Sequence, residues 1–380
     1  MQPIFYGKQT IDENDIALVV EALRSPLITT GEYVDLFEQK LAQTCGAKYA
    51  ISVSSGTAAL HLVALALLNE GDKVLTTPNS FVATSNAILY AKAKPLFVDI
   101  DDGGSIDLDL CERELQKDNS IKALFAVAFS GKMLNQTKLK YLQEKYNLII
   151  VEDLCHALGA KEIHQAGDIV AGSAYASEAS VFSFHPVKHI TTAEGGAITT
   201  NSKALHDKLK MLRSHGIIKA NSTKPWEYQM QQLGFNYRLS DIHSALGVSQ
   251  LAKLDSFVEI RMSIAKKYDE LLADKPIYPL YPFSEHSSYH LYVVKIDFAS
   301  LGISRQELFE QMREQNIFLQ VHYIPIYKQP FYQELGFGAA ALPHAERYYA
   351  QCVSLPIHPS FTQEEQEFVV SALTKILCAK

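Results

Sequence analysis

Several features that mark particular protein classes are missing from this 380-residue sequence. The five cysteines contain no CxxC pair, which argues against both a disulfide framework and a zinc site. The longest apolar run in a helical pattern, LHLVALALL, is far too short to span a bilayer and contains His61. A formal net charge of -7 argues against bulk electrostatic attraction to nucleic acid or anionic membranes.

The remaining composition is that of an ordinary folded protein. Hydrophobic residues make up 47% of the chain and charged residues 20%, close to the averages for globular domains. The first residues, MQPIFYGKQTIDENDI, carry acidic groups where a signal peptide needs a basic region and an apolar core. We therefore expect no export signal, a cytoplasmic location, and enough chain for a large and a smaller domain.

Apolar runs typical of strands alternate with helical patterns over the first 200 residues. The strand-like runs are AISVSS, KVLTTP, PLFVDI, ALFAVAF, NLIIVED, SVFSFH and GGAITT, and helical stretches such as SFVATSNAILYA and NQTKLKYLQEKY lie between several of them. Strands separated by helices favour a mostly parallel sheet with helices on both faces. The pattern predicts an α/β large domain over residues 1–250.

The pattern changes at Ser240, which predicts the N-cap of one long helix, DIHSALGVSQLAKLDSFVEIRMSIAKKYDELLA. The proline-rich segment KPIYPLYPF ends that helix. Further strand and helix patterns follow in HLYVVKID, SRQELFEQMREQN, IFLQVHY and TQEEQEFVVSALTKIL. We place the domain boundary inside the long helix, near Leu251, so that residues 251–380 form a smaller C-terminal α/β domain.

Ligand-binding groups in such folds gather at the carboxyl ends of the strands. AISVSS runs into Gly56 and Thr57 at a helix start, which suits a phosphate but is also typical of an ordinary cap. Asp153 ends an apolar strand, where its partner is either a protonated cofactor nitrogen or a nearby cation or backbone N–H. His156 follows three residues later and is indecisive by itself.

Lys188 lies in a turn five residues after Ser183, and the pair Gly195-Gly196 follows it. A lysine in a turn is usually exposed to solvent, but a partly desolvated one can be deprotonated enough to attack a carbonyl group. The glycine pair either allows a close approach of backbone or ligand, or only makes a turn.

Pyridoxal 5'-phosphate would explain these weak signals together, because it needs a phosphate anchor, an acidic partner for its ring nitrogen and a Schiff-base lysine. A nicotinamide-dependent sugar oxidoreductase is a rival, but the GxGxxG motif after the first strand is missing. A non-catalytic binding protein is a second rival, and the presence of both Lys188 and Asp153 argues against it.

The blocks SSGTAAL, TTPNSFVATSNA, VEDLCHALGA, FSFHPVKHITTAEGGAITT, RSHGI and GFNYRLSDIHSALGVSQL resemble those of the DegT/DnrJ/EryC1/StrS sugar-nucleotide aminotransferases, in the same order and spacing. The resemblance implies the fold type I architecture of pyridoxal-phosphate-dependent transferases. TTAEGGA, FNYRLSDI and QVHYIPIY are most similar to the branch that acts in pseudaminic acid biosynthesis.

The resemblance implies roles for particular cofactor-binding residues. Lys188 would carry the cofactor as a Schiff base and act in catalysis, and Asp153 would pair with the pyridine nitrogen. The other implied contacts are Phe81 on the ring face, His156 near the ring hydroxyl, and Ser55, Gly56, Thr57 and Ser183 at the phosphate. Asn236 would reach the phosphate from the neighbouring subunit, which implies a homodimer with shared sites. No metal is implied.

The resemblance also implies L-glutamate as amino donor and a UDP-linked 4-keto deoxy sugar as acceptor. The positions that match substrate contacts are Tyr6 in an N-terminal segment of about 30 residues, then Pro26, Leu27, Ile28, Thr29, Gln320, Val321, His322 and Tyr323. The segment PLIT departs from the more polar sequence expected there. Arg213, Arg238 and Lys219 are candidates by charge alone for the donor carboxylate or the diphosphate.

Overall fold

The computed structural model describes residues 2–164, 167–219, 223–339 and 341–378. The strands are β1 (Ile4–Phe5), β2 (Tyr49–Val53), β3 (Lys73–Thr76), β4 (Lys94–Phe97), β5 (Ile121–Val127), β6 (Ile149–Asp153), β7 (Lys161–Glu162), β8 (Ile169–Val170), β9 (Ala179–Ser183), β10 (Gly196–Thr200), β11 (Ile217–Lys219), β12 (Tyr228–Met230), β13 (Tyr278–Pro279), β14 (Tyr292–Lys295), β15 (Ile317–Phe318) and β16 (Cys352–Leu355).

The helices are α1 (Glu13–Arg24), α2 (Glu32–Cys45), α3 (Gly56–Leu67), α4 (Ala83–Tyr90), α5 (Leu108–Lys117), α6 (Gln136–Tyr146), α7 (Lys203–Arg213), α8 (Asp241–Leu251), α9 (Leu254–Leu272), α10 (Phe298–Leu301), α11 (Arg305–Glu314), α12 (Pro330–Glu334), α13 (Pro343–Gln351) and α14 (Gln363–Leu377). Within the described ranges, no helix combines the length and the apolar character needed to cross a membrane.

A seven-stranded sheet in the order β2-β10-β9-β6-β5-β3-β4 forms the centre of the molecule. β10 is antiparallel to both of its neighbours, and the other pairs are parallel. All seven strand-like runs noted in the sequence contribute to this sheet. Its mostly parallel arrangement agrees with the alternation of strand and helix patterns along the chain.

Alternate residues of β5 show that helices cover both faces of this sheet. Ala123 and Phe125 are buried in one cluster with residues of α3, α4 and α7. Leu124 and Ala126 are buried in another cluster, with residues of α5 and α6. Because successive side chains of a strand point to opposite faces, the near-continuous apolar runs of the sequence are explained by burial on two sides.

The C-terminal part of the chain has its own buried cluster, to which α9, α11 and α14 contribute around β14 and β16. β14 pairs with both β13 and β16. The N-terminal strand joins this part, because β1 pairs in parallel with β15 and Ile4 belongs to the same cluster. The division at residue 250 itself stays a prediction.

The single long helix predicted after Ser240 is wrong, because the chain forms two helices, α8 and α9, separated by residues 252–253. The backbone of Lys253 leaves the helical region at φ -104° and ψ 0°. Its ammonium group pairs with Asp12 and Asp15 at the start of α1. These tertiary ion pairs accompany the break, and a local helical pattern carries no information about them.

Candidate active site

A cavity of about 530 Å³ opens at the carboxyl ends of the central strands. Asp153 is the last residue of β6 and Ser183 the last of β9, so the sheet itself places both at this edge. Many of the residues singled out in the sequence line the cavity: Tyr6, Ser55, Gly56, Thr57, Phe81, Asp153, His156, Ser183, Lys188, Gln320, Val321, His322 and Tyr323.

Lys188 follows β9 in the turn that leads to β10, and its side chain lines the cavity. Burial lowers the pKa of its amine from the ordinary value of 10.5, and the charge of Arg261 acts in the same direction. Cys155 and Asp153 oppose that shift. The lysine is therefore a partly desolvated amine rather than a solvated loop cation, and the neutral, nucleophilic form is easier to reach.

Asp153 is buried and both of its carboxylate oxygens accept hydrogen bonds. The hydroxyl of Thr84, in α4, donates to Oδ2 at 2.6 Å. The backbone N–H of Cys155 donates to Oδ1 at 3.1 Å. These donors fix the orientation of a carboxylate at the cavity wall, where it can accept a further N–H donor.

Small residues bring the start of α3 close to the two strands that flank Lys188. A Cβ atom added at Gly56 would lie 2.9 Å from the Cβ of Ser183. A Cβ atom at Gly196 would lie 2.4 Å from the carbonyl carbon of Ser55. Gly196 thus permits a close approach of two backbones. Of the alternatives stated for the glycine pair, this is the close backbone approach and not only a turn. The N-cap Ser55 accepts from the N–H of Ala58, and the helix start faces the cavity.

Aromatic side chains from distant segments meet above these groups. Phe81 remains 60% exposed at the cavity, with its ring centroid 6.4 Å from that of Tyr323. The Tyr323 hydroxyl lies 3.0 Å from Nε2 of His156. Burial holds the pKa of His156 well below its ordinary value, so the ring is neutral near pH 7 and is suited to hydrogen bonding.

The pairing of β1 with β15 places Tyr6 next to His322, with ring centroids 5.1 Å apart. Nδ1 of His322 lies 2.8 Å from the hydroxyl of Ser354. Burial lowers the pKa of His322 to about 3, so this residue is also neutral near pH 7. The N-terminal segment and residues 320–323 therefore form one wall of the cavity.

Two sets of predicted residues do not line the cavity of the single chain. Pro26, Leu27, Ile28 and Thr29 are exposed, and the backbone of Thr29 forms an antiparallel bridge with Ser240. Asn236 is exposed, and its backbone forms a bridge with Ser214. The sequence assigned Asn236 to the site of a neighbouring subunit, so its position outside this cavity leaves that assignment a prediction.

Arg213 is not available as a ligand-binding cation. Its guanidinium pairs with Glu38 in a buried contact and donates to the carbonyl oxygen of Ser52 at 2.7 Å. The other two basic residues that were candidates for binding the donor carboxylate or the diphosphate are Lys219, which is exposed, and Arg238, which is half-buried.

Two contacts in the site were not predicted from the sequence. Nε2 of His290 lies 3.3 Å from the Nζ of Lys188, and the hydroxyl of Thr84 donates to Asp153. His290 lies 102 residues from Lys188 along the chain, so periodicity and spacing give no signal that the two meet. A histidine two residues before a strand is too common a pattern to identify such a contact.

Comparisons with known proteins agree with this geometry. The model of the DegT/DnrJ/EryC1/StrS aminotransferase family matches residues 9–374. The UDP-4-amino-4,6-dideoxy-N-acetyl-beta-L-altrosamine transaminase of Campylobacter jejuni is 39% identical over 379 residues, which cover 98% of this chain and 97% of that protein. The Helicobacter pylori protein of the same name is 36% identical over 380 residues, covering 99% and 98%.

Solved structures are similar over almost the whole chain. Helicobacter pylori PseC, an aminotransferase of pseudaminic acid biosynthesis, has a TM-score of 0.93 and 34% identity, with 100% of both chains covered. Bacillus subtilis NtdA with bound cofactor PMP has a TM-score of 0.84 and 27% identity, covering 97% of this chain and 83% of that one. The predicted fold class is confirmed, and the chain belongs to the DegT/DnrJ/EryC1/StrS aminotransferase family.

Proposed function

We propose that this protein is a pyridoxal-phosphate-dependent aminotransferase that moves an amino group from L-glutamate to the C4 keto group of a UDP-linked 2-acetamido-2,6-dideoxyhexos-4-ulose. The product would be UDP-4-amino-4,6-dideoxy-N-acetyl-β-L-altrosamine, in pseudaminic acid biosynthesis. The observation that carries the chemistry is the desolvated amine of Lys188 in a cavity that also presents Asp153. The names of relatives at 36% to 40% identity support the choice of sugar.

The residues at the cavity fit the cofactor. Gly56 has no side chain, so the start of α3 packs directly against Ser183, and the N-terminus of α3 lines the cavity where its free N–H groups can bind a phosphate. Asp153 offers a carboxylate to a protonated ring nitrogen, and Phe81 offers an aromatic face. The Nδ1 atom of His156 is buried and has no hydrogen-bond partner among the described residues, which suits a bound polar group.

When bound, pyridoxal 5'-phosphate supplies a carbonyl group that condenses with amines and a ring that takes up the electron pair left when the Cα proton is removed. Lys188 would anchor the cofactor and then, once its amine is free, accept that proton on Nζ and return it. Its lowered pKa makes the neutral amine accessible for the first of these steps.

Asp153 would keep the ring nitrogen protonated, because an ionised carboxylate favours a proton on its partner. Thr84 and the N–H of Cys155 hold that carboxylate in one orientation. His156, joined to Tyr323, would lie beside the ring hydroxyl. Ser55, Thr57 and Ser183 would contact the phosphate.

The sugar nucleotide would bind against the wall formed by Tyr6 and residues 320–323. Both segments line the cavity and both match positions that the resemblance assigns to substrate. The exposed segment 26–29 would complete the substrate site if a second subunit covers it. An alternative is the same reaction on another nucleotide-linked 4-keto sugar, since 32% identity to the spore coat polysaccharide protein SpsC of Bacillus subtilis shows that related chains serve other pathways.

A homodimer with shared active sites is part of this proposal. Asn236 is exposed in the single chain, and large apolar side chains near it are exposed as well. They lie on and around the β11–β12 hairpin: Trp226, Tyr228, Met230 and Leu233, with exposed fractions of 63% to 77%. A surface of this kind is typical of an interface. The cytoplasmic location remains a prediction from the sequence.

The test starts from the purified protein loaded with pyridoxal phosphate. We expect a visible absorption band that shifts on addition of L-glutamate and is absent from Lys188→Ala. Incubation with L-glutamate and a panel of UDP-4-keto sugars, followed by mass spectrometry and NMR of the products, identifies the acceptor and the configuration at C4. A wild-type protein that takes up no cofactor would refute the proposal, and amination of a different sugar only would select the alternative.

Subunit mixing tests the shared site. Lys188→Ala and Asn236→Ala chains are each expected to be inactive, but after subunit exchange some dimers should contain one site with both native residues and regain part of the activity. Exchange is verified by native mass spectrometry of tagged chains. No recovery after complete exchange would contradict the assignment of Asn236 to the partner's site.

A further inference from the structure

His290 contacts the amine of Lys188 from the C-terminal part of the chain. Its Nε2 lies 3.3 Å from Nζ, and the residue is only 3% exposed. We propose that His290 is a positioning residue, whose Nε2 accepts a hydrogen bond from Lys188 and so directs the rest of the amine into the cavity. The inference rests on the proposed function for its catalytic meaning, but the contact can be tested without cofactor.

The loop that carries His290 is held from one side by the turn after β5. The N–H of Ser288 donates to the carbonyl of Gly131 at 2.9 Å, and the hydroxyl of Ser130 donates to the carbonyl of Leu291 at 2.9 Å. Gly131 has φ +115°, and a Cβ atom there would lie 2.5 Å from the backbone nitrogen of Tyr289. This close backbone contact leaves the loop little freedom to move.

Arg261 holds the same loop from α9. Its guanidinium is fully buried and NH1 donates to three carbonyl oxygens, those of Tyr289 at 3.2 Å, His290 at 3.3 Å and Ile357 at 3.0 Å. Burial lowers the pKa of Arg261 to about 10, so it is still a cation near pH 7. Burying a charge is costly unless the charged group is hydrogen-bonded. Here the hydrogen bonds of the guanidinium fix the backbone on both sides of the His290 side chain.

The protonation state of His290 agrees with an acceptor role. Burial holds its pKa well below the ordinary value, and the charges of Lys188, His156, His189 and Arg261 act in the same direction. The ring is therefore neutral near pH 7 and has one acceptor nitrogen. An ammonium group has no acceptor capacity, so whenever Lys188 is protonated, Nε2 must be that acceptor.

Other charged or titratable groups also face Lys188. Asp153 and Cys155 act from the end of β6, and Arg261 acts from α9. The histidines that sense the charge of Lys188 are His156, His189, His290 and His322. Of these, His290 is the one whose ring nitrogen has a described hydrogen bond to Nζ. A change confined to His290 therefore leaves the other groups in place.

The hydrogen bond from Lys188 to His290 also sets the direction of the lone pair on the amine. A neutral amine has two N–H bonds and one lone pair, so an N–H directed at His290 leaves the lone pair free for the cavity. When the Cα–H bond of the donor breaks, its electron pair would be drawn into the ring of the bound cofactor, and the proton forms a new N–H bond with the lone pair of Lys188. This new N–H bond, unlike the one directed at His290, then points into the cavity, from which Lys188 can return the proton.

The first test uses apoenzyme and measures the pKa of Lys188 by competitive acetylation across pH 6 to 11, with peptide mass spectrometry as the readout. His290→Leu removes the acceptor, and His290→Asn keeps an amide with a shorter reach. Because an acceptor favours the ammonium form, both variants should lower the pKa by about one pH unit, a tenfold loss of proton affinity. His290→Gln, whose amide oxygen reaches further, should stay close to the wild type.

The second readout is the single-turnover rate with L-glutamate in cofactor-loaded protein. We expect His290→Leu and His290→Asn to be about tenfold slower, His290→Gln to be within about threefold of wild type, and the dissociation constant for L-glutamate to change little. Thermal melting checks that each variant is folded, and the comparison of Gln with Asn suffices if the Leu variant does not fold.

Two results would overturn the inference. One is a Lys188 pKa that is unchanged or raised in both His290→Leu and His290→Asn. The other is an equal loss of rate in all three variants, which would indicate a purely structural role. Failure of the proposed function would look different, because the wild type would then bind no cofactor while the acetylation results still reported on the contact.

Discussion

Replacing Arg213 should destabilise the fold without removing a ligand contact. The guanidinium joins α7 to Glu38 of α2 and to the carbonyl of Ser52 in β2. Glu38 in turn accepts hydrogen bonds from the N–H and the hydroxyl of Ser52, both at 2.9 Å. The two charged side chains are only 9% and 8% exposed, so water cannot replace a missing partner.

The magnitude follows from this burial. Arg213→Met keeps most of the side-chain volume but leaves the buried Glu38 carboxylate with only Lys210, whose Nζ lies 4.0 Å from Oε2, as a nearby cation. Breaking comparable buried pairs costs about 3–5 kcal/mol, and Lys210 places our expectation at the lower end of that range. Arg213→Met combined with Glu38→Gln removes the stranded charge while an amide oxygen can still accept from Ser52. We expect the double variant to recover at least half of the lost stability.

The assay is urea unfolding followed by far-UV circular dichroism, with steady-state kinetics on the same preparations. Exposed Lys40→Met, on α2 like Glu38, serves as a control for loss of a positive charge. The reasoning would be refuted if Arg213→Met were as stable as wild type but had a strongly raised KM for L-glutamate or the sugar nucleotide. That outcome would indicate that Arg213 binds a substrate.

Two further predictions concern the cavity and the pH dependence of stability. Gly56→Ala should weaken cofactor binding at least about tenfold in an equilibrium titration, because its Cβ would lie 2.9 Å from that of Ser183 and displace one of the two. Gly338→Ala is the control. Its Cβ would lie 3.5 Å from the nearest atom, so this variant should bind the cofactor normally. Burial lowers the pKa of His358 from 6.5 to about 4, so between these values the unfolded chain binds more protons than the folded one. Stability therefore decreases as the pH is lowered through this range, by up to about 1.4 kcal/mol per pH unit. His358→Gln should show a correspondingly flatter decline in unfolding free energy from pH 6.5 to 4, and an unchanged slope would contradict this assignment.

Much of the large sheet could be predicted because its strands are encoded by short, nearly continuous apolar runs. Such runs reflect burial on both faces, and each is local in sequence. The same local reasoning failed after Ser240, where one predicted helix is two. The break involves Lys253 and the acidic start of α1, a contact between segments far apart in the chain.

The candidate site was predictable to the extent that strand ends identify it. Asp153 and Ser183 end neighbouring strands and Lys188 follows closely, so their convergence follows from the order of a parallel sheet. Thr84 and His290 were not predictable, because neither ends a strand of that sheet. The roles expected for Asn236 and residues 26–29 would require a second subunit and remain predictions.

By itself, the sequence determined the α/β class, the family, and the lysine, aspartate and helix start that suit a cofactor, because these depend on short patterns and on motifs in a given order. Only the tertiary structure decided that Arg213 is committed to Glu38, that Gly196 admits the backbone of α3, and that His290 touches Lys188. The physical reason is that burial, hydrogen-bond partners and pKa shifts arise from neighbours in space, and these neighbours are brought together by packing across more than a hundred residues of chain.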